Sequence, residues 1–231
     1  MSKEFLIFTL PNGIRVIHKQ TNDDVAHCGI VIDAGSRDEG EGEQGIAHLI
    51  EHVLFKGTKK RKSFHILNRI DAVGGELNAY TTKEDTCIYA SYLTQHFERA
   101  VELIADITFN SLFAEKEIVK EKAVIIDEIN SYLDNPSEQI FDDFDEQIFA
   151  NHSLGKNILG TPASLKKIKR KDILSFIQHN YTCEQIVFSS IGNINESKLR
   201  RIARLHRRFE RKMHAAFQRK KRNVYRYCAR S

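Results

Sequence analysis

Apolar residues come first in short β-branched runs and later at helical spacing, and that change of period sets the expected order of elements. Residues 4–20, EFLIFTLPNGIRVIHKQ, place two apolar runs around Pro11-Asn12-Gly13 and predict a hairpin with a tight turn. AHCGIVIDAGS predicts a third strand, closing on Gly35-Ser36. After the polar, glycine-rich stretch SRDEGEGEQG the spacing turns helical from about Gln44 to Phe55 and is ended by Lys56-Gly57. SFHILNRIDAVGG predicts a second helix, capped by Ser63 and stopped by Gly74-Gly75. ELNAYTTKEDTCIYASYL predicts two strands about Lys83-Glu84-Asp85.

Helical spacing then dominates. TQHFERAVELIADITFNS predicts an amphipathic helix opening at Thr94, and AEKEIVKEKAVIIDEINSYLDN a longer one stopped before Pro136. SEQIFDDFDEQIFA predicts another helix with Ser137 as its cap. Residues 150–163 are expected to form a loop, SLKKIKRKDILSFIQHNY one helix, EQIVFSSIGN a strand, and NESKLRRIARL a last helix. Strands first, then helices, with a strand returning late, predicts an α+β fold with a largely antiparallel sheet and helices on one face.

Length and composition add one bound and one division. The 231 residues, 41% hydrophobic, suffice for one large domain or two small ones with a buried core. The net charge of +4 hides two different pieces of chain. Residues 200–231 hold thirteen of the 35 Lys and Arg but only Glu210 among the 31 acidic residues, which leaves residues 1–199 at −8. We therefore expect a folded domain over 1–205 and a basic tail over 206–231. The plain expectation for that tail is a solvated or partly disordered terminus, and charge this one-sided also suits nucleic acid, an acidic membrane or an acidic partner surface. Without a recognition motif beside it, it does not point to nucleic acid.

The N-terminal apolar stretch is too short for a signal peptide and has no small-residue cleavage site, and no apolar run is long enough to span a membrane. A cytoplasmic location is the resulting expectation. Cys28, Cys87, Cys183 and Cys228 form no CxxC pair and are expected to be free thiols.

The chemistry concentrates in HLIEH, residues 48–52. At about 100° per residue, His48 and His52 project about 40° apart and one turn from each other, where one metal ion could take both. Glu51 lies on the same face. Two imidazoles to hold an ion and a carboxylate beside them to accept a proton suit zinc-dependent hydrolysis, and HxxEH is a zinc-peptidase pattern. The bland alternative is a helix with two solvated histidines. A catalytic zinc takes three protein ligands as a rule, and the helix EKEIVKEKAVIIDEIN offers Glu115, Glu117, Glu121 and Glu128. Glu121 and Glu128 are two turns apart on one face, and periodicity does not choose between them.

Four segments in order, FTLPNGIRVIHKQ, GIAHLIEHVLFKGTKKR, GGELNAYTTKEDTCIYA and EKAVIIDEI, resemble the pitrilysin-type (inverzincin) zinc metallopeptidases, the family of insulysin and the mitochondrial processing peptidase β subunit. The likeness covers most of residues 5–200. It implies the fold of one half of a processing-peptidase/LuxS-like metallohydrolase and one Zn2+ per chain. In the family the last ligand follows the second histidine by 76 positions, and counting from His52 reaches Glu128. The resemblance thus implies His48, His52 and Glu128 as zinc ligands, Glu51 as general base, and Glu121 as a supporting carboxylate. It further implies an endopeptidase acting on extended peptides that add to a sheet edge at Leu77, Asn78, Ala79, Tyr80 and Thr81. Family members pair two such halves, so a second half or a homo-oligomer is the expected partner. The alternative it leaves open is a zinc-binding, non-catalytic or incomplete half that functions only with a partner subunit.

Overall fold

The computed structural model describes residues 5–205, and the basic tail expected over 206–231 lies outside the described residues. The elements run β1 (Leu6–Thr9), β2 (Arg15–Gln20), β3 (Val25–Ile32), α1 (Ile46–Leu54), α2 (Ser63–Asp71), β4 (Glu76–Thr81) and β5 (Thr86–Leu93). They continue with α3 (Phe97–Asn110), α4 (Glu115–Leu133), α5 (Pro136–Ile148), α6 (Pro162–Lys167), α7 (Arg170–Asn180), β6 (Ile186–Gly192) and α8 (Glu196–Leu205). Six strands make one sheet in the order β1-β2-β6-β3-β5-β4, antiparallel at every junction except β2 with β6. The α+β, largely antiparallel fold is the one the spacing predicts.

Alternation along the strands decides which face is covered, because successive side chains point to opposite sides. Ala26, Cys28, Ile30 and Ile32 of β3, Ile88, Ala90 and Tyr92 of β5, and Ile186 and Phe188 of β6 are buried. Their neighbours Val31, Tyr89 and Val187 remain half-buried on the other face. α3 lies against β3 and β5 and buries Phe97, Val101, Leu103, Ile104 and Ile107. α1 packs against β4, α4 and α7 and is apolar nearly all round, with Ile46, Leu49, Ile50, Val53 and Leu54 inside. A short helix so enclosed is a rigid mount for any side chain it carries.

The start of α1 is fixed from two sides. Gly45 caps it at φ +86°, a left-handed conformation that favours glycine, and a Cβ there would lie 2.6 Å from the Leu159 carbonyl oxygen. Buried Glu39 replaces a conventional cap: Gly45 N–H and Ala47 N–H donate to its two carboxylate oxygens at 3.0 and 3.1 Å.

Three local details differ from the spacing. Ser63 is the first helical residue of α2, and its cap position belongs to Lys62, whose backbone is extended. Asn135, not Ser137, caps α5; Pro136 follows as the first helical residue, where its missing N–H costs nothing, and the Ser137 hydroxyl donates to Asn135 Oδ1. The helix expected from Ser164 to Tyr181 is two. Ile168 turns extended to bury its side chain, Lys122 Nζ donates to its carbonyl, and the Lys169 N–H donates to Asp172 Oδ2 to start α7 anew. α5 leaves Ile140, Phe141, Phe144 and Ile148 more than half exposed. Among the described residues no helix is long and apolar enough to cross a membrane.

Candidate metal centre

α1 and α4 lie side by side and bring His48, His52 and Glu128 together, with one donor atom from each within 4.8 Å of the others. The imidazoles sit edge to face with ring centres 4.6 Å apart. His48 Nε2 is 4.0 Å from Glu128 Oε1, and His52 Nε2 is 3.6 Å from Glu128 Oε2. Burial pushes the His48 imidazole down to about 4, with His52 adding to the effect, so His48 is neutral at physiological pH.

Glu121 and Glu128, which periodicity left equivalent, occupy different positions. Glu121 is buried and already partnered: Lys56 Nζ lies 2.9 Å from Oε1, and His52 Nδ1–H donates to Oε2 at 3.3 Å. In the neutral ring that second bond keeps the proton on Nδ1 and leaves the lone pair on Nε2. The lone pair faces the Glu128 carboxylate, acceptor against acceptor, and among the described residues Glu128 has no Lys or Arg partner. Such a pairing wants a cation between its members. Two imidazoles and one carboxylate are the donor types zinc takes, so the residues present fit the ion.

Glu51 stands beside this group on the same helix. Burial raises its carboxyl above the usual carboxylate range, while the Thr81 hydroxyl, donating to Oε2 at 2.6 Å, pulls the other way. His52 and Glu128 both act on it electrostatically. The result is a carboxylate held in one orientation with its other oxygen uncommitted to Thr81.

β4, which carries Thr81, is one of the two edge strands of the sheet. Thr82 N–H donates to the Asp85 carbonyl at 2.8 Å, and bonded pairs alternate along an antiparallel ladder. Asn78 and Tyr80 therefore bond to β5, opposite Tyr89 and Cys87, while the backbone groups of Leu77, Ala79 and Thr81 point to the free edge. Ala79 N–H is instead taken by the Asn78 side chain, Oδ1 accepting at 2.9 Å. The side chains of Leu77 and Ala79 pack toward the helical face with Thr81, whereas those of Asn78 and Tyr80 emerge on the opposite face, Tyr80 beside Tyr89. Phe55, just beyond α1, is half-buried against the core.

Three residues around the centre escaped the sequence reading. Lys56 lies four positions past His52 and so one turn further along the same face, a spacing that could have marked it. Thr81 was singled out only for its place in the strand, and its bond to Glu51 joins residues 30 positions apart. Glu39 sits in a polar loop with no periodicity to expose its role. Replacing Glu39 with Ala would orphan two buried N–H groups at the start of α1, each worth about 1–3 kcal/mol. Thermal or urea unfolding should show a loss of that order. A variant as stable as the parent would show that water satisfies the helix end.

A family model described as insulinase, peptidase family M16, matches residues 15–162. The chain is 38% identical over 203 residues to the mitochondrial-processing peptidase subunit beta of Rattus norvegicus, covering 88% of this chain and 42% of that protein. It is 36% identical over 200 residues to an uncharacterized zinc protease of Rickettsia bellii, covering 86% of this chain and 48% of the relative. The fold is similar to that of a protease from Helicobacter pylori, with TM-score 0.83, 25% identity, and coverage of 87% of this chain and 49% of that one. The chain thus spans less than half the length of these relatives.

Proposed function

Since the chain belongs to the insulinase family of peptidases, family M16, we propose that it carries a zinc peptidase centre that hydrolyses peptide bonds in extended, unfolded chains. His48, His52 and Glu128 hold the ion, and Glu51 is the general base. The observation that carries this reading is the convergence of one donor atom each from His48, His52 and Glu128 within 4.8 Å, with Glu128 lacking a Lys or Arg partner among the described residues.

Bound zinc would supply Lewis-acid activation of a water molecule and polarisation of the scissile carbonyl. The chain's own residues do the rest. Glu51, oriented by Thr81, takes the proton from the attacking water and can return it to the departing amine. Glu121, held by Lys56, keeps the His52 proton on Nδ1. The free edge of β4 at Leu77, Ala79 and Thr81 supports β-augmentation, in which the substrate's backbone bonds to the strand and its sequence matters less. The same strand carries the hydroxyl that orients Glu51, so substrate and base share one register.

A second reading keeps the zinc centre but makes turnover depend on another M16-like half. The apolar face of α5, with Ile140, Phe141, Phe144 and Ile148 exposed, and the length of the relatives favour it. Cleavage of a quenched-fluorescent, unstructured peptide by the purified chain, with metal analysis alongside, tests both. About one zinc per chain, and cleavage stopped by a chelator and restored by zinc, supports the first reading. Zinc without cleavage, with activity appearing on mixing with a second half, supports the second. A chain that takes up no zinc would overturn both.

A further inference from the structure

Outside the metal centre, a cavity of about 420 Å³ opens where the segment after α1 meets α2 and α3. Its lining is Lys60, Arg61, His65, Asn68, Arg69 and Arg99, four cations with a histidine and an amide, and no acid. Two carboxylates lie behind this lining. Glu102 is shared by Lys60 at 3.7 Å, Arg61 at 2.7 Å and Arg69 at 3.3 Å. Asp106 also accepts from Arg61, and from Thr58 Oγ1 and Asn110 Nδ2. Arg99 has no carboxylate partner among the described residues and donates only to the Arg69 carbonyl, at 3.3 Å.

Four fixed positive charges against two negative ones leave a surplus of about two in a body whose residues 1–199 carry −8. A concave surface of one sign focuses its field on whatever enters. The wall is also preorganised. The Thr58 hydroxyl accepts Lys60 N–H and Arg61 N–H at 3.1 and 3.0 Å, and Gly57 bridges to Lys62, so the turn that offers both cations is tied to itself. Arg61 is locked on its carboxylates and serves as scaffold, while Lys60, Arg69 and Arg99 keep donors to offer. Guanidinium forks match the tetrahedral oxygens of phosphate better than they match solvent, and the volume lies in the range of small-ligand sites.

We propose that this cavity binds a phosphate-type polyanion the size of pyrophosphate, either free or carried on a nucleotide. Isothermal titration of the full chain with pyrophosphate should give one saturable site per chain, with affinity falling as salt is raised. Arg99→Gln should weaken it about tenfold or more and Lys60→Gln severalfold, with unfolding temperatures unchanged. Lys171→Gln, at an exposed position of α7 outside the cavity lining, should bind as the parent does. A parallel titration with ADP separates the sources. Tighter binding than pyrophosphate assigns a nucleotide, and weaker binding assigns the free anion. Citrate binding as tightly as pyrophosphate would overturn the phosphate class. Absent saturation, or affinity unchanged in Arg99→Gln, would overturn the site. So would heat that survives in Arg99→Gln and vanishes on chelation, which would put the anion on the metal.

Discussion

Replacing Glu51 with Gln is expected to end peptide hydrolysis while leaving zinc in place. Glu51 is not one of the three residues whose donor atoms converge, so its charge is not needed to hold the ion. Gln keeps the length of the side chain and an oxygen that can accept the Thr81 hydroxyl, so the local packing is conserved. What disappears is the ability to take a proton. General-base assistance is worth about 10²–10⁴-fold, and turnover should fall by that factor with zinc content and unfolding temperature unchanged. Metal analysis and initial rates on the same preparation decide it. Activity within a few-fold of the parent would remove Glu51 from the mechanism, and lost zinc would make it a ligand.

The second large effect separates the two carboxylates of α4. Glu128→Gln removes the charged oxygen facing both imidazoles, and zinc affinity should drop by well over 100-fold. Glu121→Gln keeps an acceptor for His52 Nδ1–H but loses the charge that Lys56 balances. Outer-shell changes of that kind cost about 10–100-fold. Competition with a fluorescent chelator ranks the two variants directly. Should Glu121→Gln lose the metal and Glu128→Gln keep it, the roles assigned to them are reversed.

Most of the architecture was legible because the change from period two to period three-to-four is strong here. The hairpin at Pro11-Asn12-Gly13, the paired strands around Lys83-Glu84-Asp85 and the long helix ahead of Pro136 all carry local turn or stop chemistry. The break within residues 164–181 was not legible, since KKIKRKD contains no Gly or Pro and is mostly Lys and Arg, which favour helix. What splits it is the burial of Ile168 and the reach of Lys122 from α4, neither visible in local spacing. The helix caps failed for a related reason: a serine near a helix start is a candidate cap, but the geometry chose Lys62 and Asn135 one or two residues earlier.

The candidate site shows the same boundary. His48, Glu51 and His52 share one helix, so their grouping follows from elementary helix geometry. Assigning different work to Glu121 and Glu128 needed the third dimension, because only packing shows that Lys56 occupies one carboxylate and not the other. Thr81 and Glu39 act across loops and strands, where sequence distance carries no information.

The bond from Ala79 N–H to the Asn78 side chain reaches beyond catalysis. An exposed edge strand with unclaimed amides is a template for any other strand, including one from a neighbouring copy of the same protein. By folding its own side chain over that donor, Asn78 covers one of the outward amides of this edge, and a bound guest strand can reclaim it by one side-chain rotation. Protection against stray strand pairing and the reception of a substrate strand thereby meet at the same backbone N–H.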